Sequence, residues 1–155
     1  GATEACAVRL TGAGDKVFSA VADLDEARAG LATSPLWEEA SGALAALPCL
    51  TIAALNGTLA GGAFGVALAC DLRIAVPKAQ FFYPVAKLGF LPQPSDPGRL
   101  RALLGPARTK LLLVGGARLT SEDALFFYLN FPPALRAPAP NPGPDNGSTP
   151  NENKR

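Results

Sequence analysis

Gly61 and Gly62 open a run of small and apolar residues, Ala63-Phe64-Gly65-Val66-Ala67-Leu68-Ala69-Cys70, whose types best suit chemistry. The first N–H groups of a helix have no partner inside it, and the aligned peptide dipoles add partial positive charge there. Glycines at the mouth of such a helix let a ligand approach the backbone closely. The result is a dry donor site for a developing negative charge, the physics of an oxyanion hole. The same residues suit a Gly/Ala-rich helix packed tightly against a sheet, and on the residues alone both readings stand. Gly12-Ala13-Gly14 is a second, weaker motif, half of a dinucleotide-binding fingerprint. Val17 stands where its third glycine belongs, and no helix clearly opens there. The chain has no histidine, which removes the commonest general base, the Ser-His triads and most zinc sites. No metal site is expected.

These residues need a scaffold, and the segments around them supply one. Leu50 to Leu55, bounded by Pro48 and Asn56-Gly57, reads as a buried strand feeding the glycine turn and the small-residue helix. Ala5 to Leu10 reads as a strand before the turn Thr11 to Gly14, and Val17 to Ala20 as a short strand or loop. Ser34-Pro35-Leu36-Trp37-Glu38-Glu39 is a helix start, with a serine cap, an early proline and acids in the first turn. Leu36, Ala40, Ala43, Leu44 and Leu47 recur at helical spacing, and Pro48 stops the helix. Leu72 to Val76 and Ala79 to Pro84 read as strands, and Leu91 to Gly98 as a proline-dense loop. Helices are expected over Arg99 to Leu104 and Ala107 to Val114, and a capping signature begins at Thr120.

Composition narrows the class. The 155 residues are 48% hydrophobic, enough for one real core, and 17% charged, below the ordinary quarter. So low a charge suggests apolar surface covered by another chain or by parts not present here. A net charge of +1 gives no electrostatic case for nucleic acid or an anionic membrane. Cys6, Cys49 and Cys70 lie in apolar runs and read as reduced, buried thiols of a cytoplasmic protein. No segment is long enough to span a bilayer, and no signal-peptide pattern opens the chain. The sequons at Asn56 and Asn146 are set aside for the same reason. With no methionine, a chain starting at Gly1 reads as processed or incomplete. Residues 1–130 are expected to form the core, and 131–155, rich in Pro, Asn and Gly, a disordered tail.

Six segments in order carry a family resemblance. They are LTG-x-x-D-K-x-F-S-A-x-A-D-L, then P-x-x-T-I-A-A-x-N-G-x-x-x-G-G, then A-L-A-C-D-L-R-I-A, K-A-Q-F, P-x-x-x-L-G-x-x-P and L-T-S-E-D-A-L. Together they resemble the enoyl-CoA hydratase/isomerase (crotonase) superfamily from about Ala5 to Asn130. The resemblance implies an α/β fold, a crotonase-like spiral of ββα units, here incomplete at both ends. It implies that an acyl-CoA thioester binds with its carbonyl between the backbone N–H groups of Ala22 and Gly62. Ser19, Ala20, Ala22, Asp23 and Leu24 would line the coenzyme A region. Coenzyme A arrives as part of the substrate, and no other cofactor is implied. A trimer-based homo-oligomer, or a hetero-oligomer with a paralogue, is expected.

Two departures from the family pattern matter. Val21 replaces a usual glycine, and a β-branched residue fits badly if that position needs a positive φ. Hydratases of the family resemble one another in using two glutamates, at positions where this chain has Gly65 and Val85. Neither can transfer a proton, so two-glutamate hydration is not expected. Asp96, Tyr83 and Lys87 are the weak catalytic candidates near the implied pocket, the first two with plainer readings as a helix-cap or turn aspartate and a core tyrosine. Asp71 reads as a structural hydrogen-bonding residue. Three functions compete: an atypical acyl-CoA lyase or isomerase, an inert CoA-ester binder partnering an active paralogue, and a nucleotide-binding module built on Gly12 and Gly14.

Overall fold

A computed structural model describes residues 7–20 and 30–126. Expectations resting on Cys6, Val21, Ala22, Asp23, Leu24 and the 131–155 tail lie outside the described residues. Three successive strand pairs each send their first strand to one sheet and their second to another. β1 (Ala7–Thr11), β3 (Leu50–Leu55) and β5 (Leu72–Ala75) form a parallel sheet in the order β1-β3-β5. β2 (Val17–Ser19), β4 (Thr58–Ala60) and β6 (Gln80–Phe82) run parallel in the second sheet, which β7 (Arg118–Thr120) closes antiparallel to β6. The helices are α1 (Leu36–Ala45), α2 (Ala63–Ala69), α3 (Asp96–Leu104), α4 (Pro106–Leu113) and α5 (Ser121–Phe126). Short 3-10 turns at Leu31–Thr33 and Ala86–Leu88 complete the described residues.

β3 is central to the first sheet, and its side chains alternate: Thr51, Ala53 and Leu55 are buried while Leu50 is exposed. α2 lies against α1 and α3 and is buried nearly all round through Ala63, Phe64, Gly65, Ala67 and Leu68. Its seven residues make barely two turns, so the macrodipole is a smaller contributor than the sequence suggested. Leu55, Leu59, Phe64, Phe81, Tyr83 and Leu100 bring both sheets, α2 and α3 into one core.

Polar contacts lock the strand ends. Asp71 Oδ2 accepts from Thr51 N–H (2.8 Å) and Thr51 Oγ1 (2.7 Å), and Thr51 Oγ1 accepts from Asp71 N–H at 2.9 Å. That reciprocal pair fixes the β5 entrance beside β3, the structural role expected of Asp71. Asn56 ties the 12–17 loop to the end of β3. Its Oδ1 accepts from Gly12 N–H at 2.9 Å, and its Nδ2 donates to Gly14 O at 2.8 Å. Gly12 and Gly14 therefore belong to a loop packed on Asn56, and an added Cβ at Gly12 would lie 2.7 Å from the Phe18 backbone. Neighbouring Gly57 is tighter still, because a Cβ there would overlap the Lys16 carbonyl. Gly57→Ala is expected to cost about 2–3 kcal/mol, read as a lower urea midpoint with an unchanged slope.

Several expectations are corrected. α1 runs where Ser34-Pro35 predicted it, and Leu36 N–H donates to Ser34 Oγ at 3.3 Å. Its inward face, however, is Trp37, Ser41 and Leu44, with Ser41 fully buried and Leu36 61% exposed. Ser41 can be buried because its hydroxyl is satisfied by Glu38 O at 3.1 Å and by Arg99 at 2.9 Å. β4 and β7 were not anticipated, being three residues each and held by their neighbours rather than by pattern. The proline-dense loop stops sooner than expected, since α3 starts at Asp96 rather than Arg99. At Thr120 the capping signature is realised: its N–H and hydroxyl donate to Asp123 Oδ2, and Asp123 N–H donates back to its Oγ1.

Candidate functional site

The glycine turn delivers the chain from β4 into α2. Gly61 has φ of 67°, the left-handed region in which a side chain is strained. Gly62 follows at φ −58° and ψ −30° and leads directly into the helix, so its N–H is among those with no carbonyl partner in the helix. A Cβ at Gly62 would come within 2.8 Å of Trp37 Cε2. The indole is held there by its N–H, which donates to Leu31 O at 2.9 Å. Of the two readings open at the sequence, tight packing is the one these contacts show at Gly62.

One turn further along α2, Gly65 lies against a carboxylate. A Cβ at Gly65 would stand 2.6 Å from Asp96 Oδ1. Asp96 is fully buried at the start of α3, where Pro97 fixes the first turn and Ser95 precedes it. Its Oδ2 accepts from the Tyr83 hydroxyl at 2.6 Å. Its Oδ1 has no hydrogen-bond partner among the described residues, and the nearest cation, Arg99 Nη1, is 3.9 Å away. Tyr83 is itself buried, its ring stacked on Phe64 with centroids 5.3 Å apart. The hydroxyl is therefore fixed by ring packing as well as by its bond.

Electrostatics follow from this burial. Desolvation pushes the Asp96 carboxyl up to about 6, outweighing the Tyr83 hydrogen bond and Arg99, which lower it. The Tyr83 phenol is raised well beyond its usual range, first by desolvation and then by Asp96 beside it. Tyr83 thus stays a neutral donor. Glu38 accepts from Ser95 N–H at 3.2 Å and from the Ser95 hydroxyl, and these bonds hold its carboxyl below the usual range. Arg99, anchored on Ser41, closes the set.

Asp96 and Tyr83, two of the weak candidates, are thus brought together, on Gly65. Lys87 is not part of this cluster; it is exposed, and its aliphatic chain covers Gly116. Ser19 ends β2 and Ala20 follows it, both half-buried, while Ala22, Asp23 and Leu24 lie outside the described residues. Val85 packs partly buried against the core. The contact between Gly65 and Asp96 was invisible in the sequence. A signal for the Asp96 helix was present: Ser95-Asp96-Pro97 repeats the serine–proline start already recognised at Ser34-Pro35. Among the described residues no three His, Cys, Asp or Glu side chains could hold a metal. None of the described helices is long and apolar enough to cross a membrane.

Paired strands dealt alternately to two sheets, each pair followed by a helix, define a crotonase-like α/β fold, of which this chain is a part. Residues 2–127 match the family model described as Enoyl-CoA hydratase/isomerase, and the chain belongs to that family. It is 41% identical over 122 residues to the carnitinyl-CoA dehydratase of Salmonella arizonae, covering 75% of this chain and 46% of that one. Among solved structures, Pseudomonas aeruginosa DspI superposes with a TM-score of 0.73 at 38% identity, covering 81% of this chain and 53% of that one. An enoyl-CoA hydratase from Bacillus anthracis gives 0.72 at 34% identity, covering 83% and 52%. The chain spans about half the length of the curated relatives it matches.

Proposed function

We propose that the chain binds an acyl-CoA thioester and polarises its carbonyl with the backbone N–H of Gly62, Ala22 supplying the second donor. Membership of the enoyl-CoA hydratase/isomerase family supports the substrate class. The observation that carries the reading is the glycine turn, where Gly61 takes φ of 67° and Gly62 follows without a side chain at the start of α2. Ser19, Ala20, Ala22, Asp23 and Leu24 are assigned to the coenzyme A moiety, which the substrate itself brings. The reaction is then an atypical isomerase- or lyase-type step, because Gly65 and Val85 carry no carboxylate for two-glutamate hydration. The same two residues favour a second reading, a non-catalytic binder of CoA esters acting beside an active paralogue. A cytoplasmic oligomer, trimer-based or mixed with such a paralogue, belongs to both readings.

Infrared difference spectroscopy on crotonyl-CoA with a ¹³C-labelled carbonyl tests this. Two donors on one oxygen weaken the C=O bond, so its stretch is expected to move to lower wavenumber on binding. Binding with an unshifted carbonyl would support the non-catalytic reading, and absence of binding would remove both. Gly62→Pro is a poor probe, because its added carbon meets Trp37 as well as deleting the N–H.

A further inference from the structure

We propose that Asp96 is the proton-transfer residue of this site, its carboxylate carried in on α3 to stand against Gly65. The inference rests on the acyl-thioester reading above and adds the missing base to it. Four observations converge. Gly65 has no side chain, and the space its first carbon would occupy is within 2.6 Å of Asp96 Oδ1. Asp96 is fully buried, yet Oδ1 has no hydrogen-bond partner among the described residues. A buried carboxylate oxygen left without a donor is costly, and such exceptions in folded proteins call for a functional explanation. Finally, Tyr83 holds only the other oxygen, Oδ2, at 2.6 Å, so the carboxylate is oriented while Oδ1, 3.9 Å from Arg99 Nη1, is left without a hydrogen-bond donor among the described residues.

Placement relative to the donor fits the chemistry. Gly62 and Gly65 are three residues apart on one helical face, roughly 5–6 Å between side-chain positions. In this proposal the thioester oxygen accepts from Gly62 N–H and the α-carbon faces Asp96 Oδ1. The step balances without any further reagent. Asp96 Oδ1 takes the α-proton, the C–H electron pair moves into the C–C bond, and the carbonyl pair comes to rest on the thioester oxygen. The enolate so formed is held by the N–H donor, and after the Asp96 carboxyl exchanges its proton with solvent, a solvent-derived proton returns from Oδ1 to carbon. Tyr83 is a positioning residue, fixed by its stack on Phe64. The charged and titratable groups facing Asp96 are Tyr83, Arg99 and Glu38; burial, reinforced by Glu38, outweighs Tyr83 and Arg99 and leaves the carboxyl at about 6, suited to exchange around neutral pH.

Hexanoyl-CoA in D₂O is the probe, with loss of its α-proton signals followed by NMR and binding measured in parallel by calorimetry. Wild-type protein is expected to catalyse exchange, with a rate that rises with pH through an inflection near 6. Asp96→Asn is expected to bind hexanoyl-CoA within a few-fold of wild type and to lose about 10²-fold or more in exchange. Tyr83→Phe removes a bond that lowers the Asp96 carboxyl, so its inflection is expected at higher pH, a shift that a purely structural tyrosine would not produce. Exchange retained within about threefold in folded Asp96→Asn, on the scale where general-base loss costs 10² or more, overturns the proposal. So does a wild-type profile without that inflection, a measurement that holds even if the variant does not fold. Binding without exchange by the wild type overturns the proposal alone, whereas no binding removes the acyl-thioester reading beneath it.

Discussion

Gly65→Glu is expected to destabilise the fold by about 4 kcal/mol or more, although on the family resemblance it would restore a carboxylate expected at that position. Two costs combine. The new Cβ meets Asp96 Oδ1 at 2.6 Å, and overpacking of this kind typically costs about 1–3 kcal/mol. The second carboxylate then enters a buried site that already holds an under-satisfied one, and an uncompensated buried charge costs about 3–5 kcal/mol. Asp96 cannot swing aside freely, since Tyr83 holds its Oδ2 and Pro97 fixes the helix start. Removing Asp96 as well relieves both the contact and the repulsion. The double variant Gly65→Glu/Asp96→Gly is therefore expected to be more stable than Gly65→Glu alone, with a coupling of about 1–3 kcal/mol in a double-mutant cycle. Urea unfolding of the four proteins gives the cycle. A double variant no more stable than Gly65→Glu would show that the two positions do not compete for one space.

That competition marks the boundary of what the letters of the sequence carried. β3, α2 and β5 were legible because an apolar strand, a glycine turn and a small-residue helix each impose a local pattern that their neighbours do not override. Capping chemistry was equally readable, at Ser34 and at Thr120, because donor and acceptor lie within three residues of each other. The inward face of α1 was misread for the opposite reason. The Ser41 hydroxyl is satisfied in part by Arg99, 58 positions away, and no periodicity encodes such a partner. β4 and β7 were missed because three-residue strands are specified by the sheet that accepts them. At the candidate site, Gly61-Gly62 was singled out from type and spacing, and Asp96 and Tyr83 were named separately. Their pairing joins the segment just after β6 to α3 across thirteen residues, and the Gly65 contact joins α2 to α3 across thirty-one; both are products of packing.

Asp96 should also leave a mark on stability that does not depend on any substrate. Its carboxyl is raised from 3.8 to about 6 by burial, so the folded chain holds a proton that the unfolded chain releases between those values. Stability at this group is thus greatest below about pH 4, and it falls as pH rises through 6, where the folded state must ionise a buried carboxylate. A shift of this size corresponds to something on the order of 3 kcal/mol between the two plateaus. Carboxyls held low, such as Glu38, contribute in the opposite sense at the acid end, since their stability is lost as pH falls. A difference measurement removes them. The stability of Asp96→Asn minus that of wild type is expected to rise between pH 4 and pH 7 by about that amount, then level off. Chemical denaturation of both proteins at pH 4.5, 6 and 7.5 would show it. A pH-independent difference would mean that Asp96 titrates alike in the folded and unfolded chains, and that its burial carries no penalty. The predicted rise instead means that at neutral pH the fold tolerates an ionised carboxylate it could dispense with, the expected relation between stability and a site retained for chemistry.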